Sequence, residues 1–365
     1  MKASDLLCKI LSEFGVSKVF GVTGGSILHP LESAHKLGLD VFYTHHEQAA
    51  SFAADAATRI TKQPQACFVT TGPAGTNAMT GVLTSWLDSV PQIVISGQAR
   101  LSDLTDANSV RQIGTQHYDV LNSIKNITNA CIQLKNEDTF CDDIINTLIR
   151  SVSSRPGPVW IDIPLDLQWA EIKNCEYSFK KATLFKVDLL GSNNEKKPKT
   201  DFNPLIIEAL NSLKDAQKPL VIIGAGCKQN NVGEELVKLF TELSIPMVFT
   251  WGSIDLLDSE NPLNFGLIGI NGQRSANFSA YLSDVIIGFG THFSDQITGR
   301  ERNLFAPDAK KYAFDIDPKE CERLKNFAVV INIDLREKLF FIIDYIRKNY
   351  IKRIPNKLHI NTLKN

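Results

Sequence analysis

The strongest constraint in this chain is a series of short, almost wholly apolar runs, each closed by a turn and followed by a helical pattern. In the first half they are residues 18–22 (KVFGV), 41–43, 66–70 (ACFVT), 92–96 (QIVIS) and 158–163 (PVWIDI). Such runs lack a polar face, so they suit strands buried on both sides, and helices between them act as crossovers of a parallel sheet. Leu6, Leu7, Ile10, Leu11 and Phe14 share one helical face, and Gly15 suits the position that ends that helix. Further helices are expected up to about residue 35, over about 47–60 and over 76–87. Residues 171–200, which include GSNNEKKPKT, cannot bury enough apolar surface to pack alone and read as a linker. The rhythm then resumes with PLVIIGAG, a helix over 232–243, the strand candidates PMVFT, DVIIGFG, KKYAFDID and FAVVINID, and a helix over 335–350. The expectation is α/β: two doubly wound parallel-sheet domains at 1–170 and 201–350, a linker at 171–200 and a basic, polar tail at 351–365.

A chain of 365 residues has room for two such domains. Lys and Arg number 39 against 40 Asp and Glu, so no basic field exists to attract phosphates, and nucleic acid is not expected as a partner. No apolar run is long enough to span a bilayer, and the first residues lack a signal-peptide core. The seven cysteines are scattered and never spaced CxxC, which reads as buried thiols in a reducing cytoplasm.

Four segments carry candidate chemistry. Glu47, in His45-His46-Glu47, opens a helix directly after a strand. A carboxylate there can simply complement the helix dipole, yet ligand sites of parallel sheets also lie beyond the carboxyl ends of strands. HExxH zinc binding fails because position 50 is alanine, and no metal ligand is assigned. Thr71-Gly72-Pro73-Ala74-Gly75-Thr76-Asn77 and Gly24-Gly25-Ser26 are strand-to-helix turns whose glycines would let a ligand approach the backbone. Any tight turn can explain one of them. Three such positions on one sheet edge, with a carboxylate among them, point to a pocket. In the second half, Gly224-Ala225-Gly226 is a short dinucleotide-like turn that lacks the third glycine of GxGxxG. It is joined by Gly269, Gly272 and an acidic strand end at Asp315 and Asp317, which suits either a ribose contact or a helix cap.

These motifs in this order resemble the thiamine-diphosphate-dependent enzymes, specifically the acetolactate synthase large-subunit group. The matching stretches are VFGVTGGSILHPLE, YTHHEQAASFAADAATRITKQPQACFVTTGPAGTNAMTG, LDSVPQIVISGQ, RPGPVWIDIPLD, LIGINGQRSANF and the final DID. The resemblance implies a first domain of the pyrimidine-binding fold and a Rossmann-like central domain. It makes Glu47 the catalytic carboxylate that hydrogen-bonds a ring nitrogen of the aminopyrimidine and so activates the cofactor toward a 2-keto acid. It places Gly24, Gly25, Pro73, Asn77 and Gln116 around the pyrimidine or substrate. It implies an FAD in the second domain, at Arg155, Gly224, Ala225, Gly226, Gly269, Gly272, Gly290, Asp315 and Asp334, although other branches keep this domain without flavin.

The chain departs from the synthase pattern at several places. Leu165 and Asn129 replace lysines, Thr115-Gln116-His117 replaces Phe-Gln-Glu, His292 replaces an arginine, and Ser294-Asp295-Gln296 replaces Asp-Asp-Arg. These changes leave open another substrate or acceptor, or plain decarboxylation. The family's third domain holds Mg²⁺ and the cofactor diphosphate through Gly-Asp-Gly, which this sequence lacks. The resemblance therefore implies that the domain is absent, so that a separate subunit supplies it or the chain is truncated. The expected partners are a 2-keto acid such as pyruvate, a second copy of the chain and that subunit. Two rival expectations are a non-catalytic homologue that binds a partner or nucleotide, and a nucleotide-dependent oxidoreductase built on the second domain.

Overall fold

A computed structural model describes residues 1–104, 110–173 and 203–350. The chain divides into two compact units, Met1–Asn194 and Glu195–Asn365. Most of the predicted linker at 171–200 and all of the tail at 351–365 lie outside the described residues.

The first unit is a six-stranded, all-parallel sheet in the order β2-β1-β3-β4-β6-β5. Its strands are β1 (Lys18–Gly21), β2 (Asp40–Tyr43), β3 (Ala66–Val69), β4 (Ile93–Gln98), β5 (Ala130–Gln133) and β6 (Val159–Pro164). Its helices are α1 (Ala3–Phe14), α2 (Leu28–Lys36), α3 (Glu47–Thr61), α4 (Pro73–Leu87), α5 (Val120–Ile124), α6 (Phe140–Val152) and the single turn α7 (Leu165–Gln168). One face buries Leu7, Leu11, Phe14, Phe68, Ile95 and Ile161 beneath α1 and α6. The other buries Ala50, Ala54, Cys67, Ala78, Val82 and Trp160 beneath α3 and α4. Every residue of β3, β4 and β6 is buried, as the apolar runs require. Gly15 closes α1 at φ +113°, where a side chain would be strained. Past α7 the chain pairs with its own start: the Ala3 amide donates to Ala170 O, and that of Ile172 to Met1 O, both at 2.9 Å.

The second unit is also six-stranded and parallel, in the order β12-β11-β10-β7-β8-β9. Its strands are β7 (Pro219–Ile223), β8 (Met247–Phe249), β9 (Asn264–Leu267), β10 (Val285–Phe289), β11 (Lys310–Asp315) and β12 (Val329–Asn332). Helices α8 (Pro204–Asp215), α9 (Ala225–Gln229), α10 (Gly233–Glu242), α11 (Arg274–Leu282), α12 (Asp295–Thr298), α13 (Pro318–Leu324) and α14 (Leu335–Asn349) connect and cover them. The strand order reverses between β7 and β10, the doubly wound arrangement expected from sequence.

Three local readings are corrected. Strands β5 and β9 had no counterpart among the predicted runs. Helix α4 starts at Pro73, in the first helical position where its fixed φ is favourable, and not at Thr76. Cys141 is disulfide-bonded, while Cys8, Cys67, Cys131, Cys227 and Cys321 are free as expected.

Candidate active site

The carboxyl ends of the first unit's strands collect the candidate residues. Glu47 is the first residue of α3, directly after the N-cap His46, whose Nδ1 accepts the Gln48 amide at 3.1 Å. His46 is thus engaged as a cap, and no cluster of three potential metal ligands occurs among the described residues. Asn77, in the second turn of α4, donates from Nδ2 to Glu47 Oε2 at 2.9 Å. Among the described residues the other oxygen, Oε1, accepts no hydrogen bond. Glu47 is half-buried at a helix N-terminus. The arrangement holds one carboxylate oxygen and leaves the other open.

The turn glycines divide by what they face. A Cβ on Gly24 would lie 2.6 Å from the Thr70 side chain, whereas a Cβ on Gly25 would meet nothing within 4 Å. Gly72 caps α4 at φ +68°, and a Cβ there would lie 2.7 Å from Gln116 O. Gly75 is helical and faces Val120 and Trp160. Of these turns, Gly72 makes room for protein, Gly75 is buried at ordinary contact distance from its neighbours, and the open backbone is at Gly25. Pro73 is exposed beside them, and Gln116, also exposed, adopts a left-handed φ of +57° over Gly72.

Beneath this edge lies a buried polar chain that sequence reasoning missed. Asp162, fully buried on β6, accepts from Ser96 Oγ, from Gln98 Nε2 at 3.1 Å and from Gln133 Nε2 at 2.9 Å. Burial pushes its carboxyl up to about 6, against the lowering effect of those three donors. The available signal was a lone acid inside the apolar run PVWIDI.

The FAD candidates fall in both units, and the glycine-turn candidates of the second unit pack against their own unit. Arg155 belongs to the first unit and precedes β6, at the sheet edge opposite Glu47, where its Nε donates to Ser89 Oγ at 2.8 Å. In the second unit, Gly224, Ala225, Gly226 and Gly290 meet at the β7/β10 reversal, but against one another. The Gly226 amide donates to Gly290 O at 3.1 Å, the Cys227 amide returns to Gly224 O, and a Cβ on Gly224 would lie 2.0 Å from Gly290 O. The turn around Gly269 and Gly272 is closed by Asn277, which pairs with both the amide and the carbonyl of Gly269. Asp315 accepts from the Asp317 amide, and Asp334 caps α14 and pairs with Arg336. At the 315–317 strand end it is Asp317 that caps α13, the alternative left open by the sequence, while Asp315 holds the turn before it.

Two parallel α/β units, one bearing an anchored carboxylate at its strand ends, fit the two-domain plan expected of a thiamine-dependent enzyme. Residues 1–123 match "Thiamine pyrophosphate enzyme, N-terminal TPP binding domain" and residues 206–339 match "Thiamine pyrophosphate enzyme, central domain". The chain belongs to this thiamine pyrophosphate enzyme family. It is similar to the acetolactate synthase large subunits of Corynebacterium glutamicum (31% identical, 93% of this chain, 52% of the relative) and Haemophilus influenzae (30%, 91% and 55%). It is also similar to the isozyme 2 large subunit of Escherichia coli (29%, 93% and 58%). The chain thus spans little more than half the length of these curated relatives.

Proposed function

We propose that this chain carries the cofactor-activating part of an acetolactate-synthase-like enzyme. The reaction is decarboxylation of a 2-keto acid, pyruvate in the first instance, with transfer of the acyl unit to a carbonyl acceptor. The observation that carries the reading is the Glu47 carboxylate held by Asn77, on the same sheet edge as the open backbone of Gly25. When bound, thiamine diphosphate supplies the electron sink for loss of CO₂. Glu47 Oε1 would be the atom that hydrogen-bonds a ring nitrogen of the aminopyrimidine, and Asn77 keeps that carboxyl group from rotating. A half-buried carboxylate makes a stronger bond than one in water, which is what proton movement within the ring requires. Gly25, Pro73 and Gln116 line the approach.

No described cluster is arranged to hold a metal, so the reading places Mg²⁺ and the diphosphate on a domain or subunit from outside residues 1–350. The closed turns at Gly224–Gly226 and Gly269–Gly272 do not fit a dinucleotide diphosphate, and no step is assigned to FAD. The relatives' name, large subunit, supports an assembly with a smaller companion, and we infer a homo-oligomer as its core. No described helix is long and apolar enough to cross a membrane, and a cytoplasmic location is part of the proposal. A second reading, with another acceptor or simple decarboxylation, is supported by Leu165, apolar where the synthases have lysine.

The test supplies a diphosphate-binding domain in trans with thiamine diphosphate, Mg²⁺ and pyruvate. CO₂ release and acetolactate are expected, both reduced about a hundredfold or more in Glu47→Gln, the scale of general acid–base assistance. CO₂ with an aldehyde product selects the second reading, and equal turnover in the variant refutes the assignment of Glu47.

A further inference from the structure

The hydrogen bonds around Asp162 have fixed directions. The Trp160 Nε1–H can only donate, and it donates to Ser96 Oγ at 2.7 Å, so the Ser96 hydroxyl proton is turned toward Asp162 Oδ1. The Ala99 amide can only donate, and it donates to Gln98 Oε1 at 2.9 Å. The Gln98 amide nitrogen is thereby forced toward Asp162 Oδ2 and toward Tyr118 O, at 3.1 and 3.2 Å. Gln98 Oε1 also accepts from Thr71 Oγ1 at 2.8 Å, and Thr71 Oγ1 lies 3.3 Å from Gln116 O. Thr71, Ser96, Gln98 and Asp162 are all nearly or fully buried, so none of these bonds competes with bulk water. The chain of contacts ends at two carbonyls, Gln116 O and Tyr118 O, on one exposed loop. That loop carries Gln116 in a left-handed conformation a few ångströms from the α4 N-terminus.

We propose that Asp162 is a positioning residue: its buried carboxylate, together with the Ala99 amide and the Thr71 hydroxyl, fixes Gln98, and Gln98 holds the Gln116 loop over the start of α4 through Tyr118 O. This deepens the reading of the site given above and rests on it for its functional meaning, since Gln116 lines the approach to the pyrimidine. A neutral side chain at 162 keeps an oxygen but loses the charge that strengthens the bond from Gln98 Nε2, so the Gln98 amide is held less firmly against Tyr118 O. Of the charged groups near Asp162, Asp119 at the N-cap of α5 acts on it, and it disfavours the charged form. The other side chains that bond Asp162, from β4 and β5, are neutral.

The experiment is amide hydrogen exchange of the intact chain, without cofactor, read as protection factors for residues 114–118 against pH. In the wild type, protection falls as Asp162 takes up its proton near pH 6. Asp162→Asn gives roughly tenfold lower protection at pH 8, the scale of one charge-assisted hydrogen bond, and abolishes the pH step. Thr71→Val also lowers protection of 114–118 but keeps the strands β3, β4 and β6 protected, and Thr71→Ser, which restores the hydroxyl, restores it. A pH step that persists in Asp162→Asn overturns the proposal. If Asp162→Asn does not fold, equal protection in Thr71→Val and Thr71→Ser overturns it. No cofactor takes part, so failure of the thiamine reading leaves this result unchanged, and failure here leaves the turnover test of Glu47 intact.

Discussion

Replacement of Asp162 by Asn separates two opposed effects on one buried carboxylate. Three donors, Ser96, Gln98 and Gln133, favour the charged form, and complete burial disfavours it. Burial wins: the folded-state value is about 6 against 3.8 for the free side chain. A raised acid binds its proton more tightly when folded. Its contribution to stability is therefore greatest below pH 3.8 and is lost as pH rises through 6. The full gap corresponds to ~3 kcal/mol. By linkage about half of that disappears below pH 5, leaving about 1.5 kcal/mol to be lost between pH 5 and pH 8. Asparagine does not titrate, so the stability of the wild type minus that of Asp162→Asn falls by about 1.5 kcal/mol over this range. Urea unfolding followed by tryptophan fluorescence reads the first unit, which holds Trp86, Trp160 and Trp169. With a slope of about 2 kcal/mol per molar urea, the difference in midpoint changes by about 0.7 M. A difference that is flat with pH would mean that the three donors fully offset burial. A difference that grows with pH would mean that they outweigh it, and either result refutes the reasoning.

Three further outcomes are expected. Gly25→Ala keeps the melting temperature but weakens binding of thiamine diphosphate, while Gly24→Ala, whose Cβ would strike Thr70, loses about 1–3 kcal/mol of stability; calorimetry and thermal melts distinguish them. A double-mutant cycle of Glu47→Gln and Asn77→Ala, read in thiamine diphosphate affinity, shows a coupling of about 1–2 kcal/mol, and additivity would dissolve the clamp. Purified protein is colourless and stays so after incubation with FAD and gel filtration; a retained flavin absorbance band would show that the closed Gly224–Gly226 turn opens.

The fold was legible where burial is two-sided. Strands β3, β7 and β10 are apolar throughout, and β4 and β6 largely so, because helices cover both faces, and their residues show it without any partner in view. The unread strands, β5 and β9, lie at the ends of their sheets, half-exposed and carrying Gln133 and Asn264, so no continuous apolar run announces them. Glu47 was visible as a carboxylate between a strand end and a helix. Asp162 was hidden because its partners Ser96, Gln98 and Gln133 come from neighbouring strands, and only pairing of β4 and β5 with β6 brings them to one point.

The glycine turns show a subtler limit. A motif records that a Cβ is excluded but not by what. At Gly24 it is Thr70, at Gly72 the carbonyl of Gln116, and at Gly75 nothing excludes it tightly but Val120 and Trp160 face it. Of the four turn glycines on this edge, Gly25 alone faces open space, on the same sheet edge as a carboxylate with one oxygen held by Asn77. Counting glycines overstates how much of the edge is open to a ligand. Gly24 and Gly72 fit protein to protein, Gly75 lies at ordinary contact distance from Val120 and Trp160, and only Gly25 leaves its backbone open.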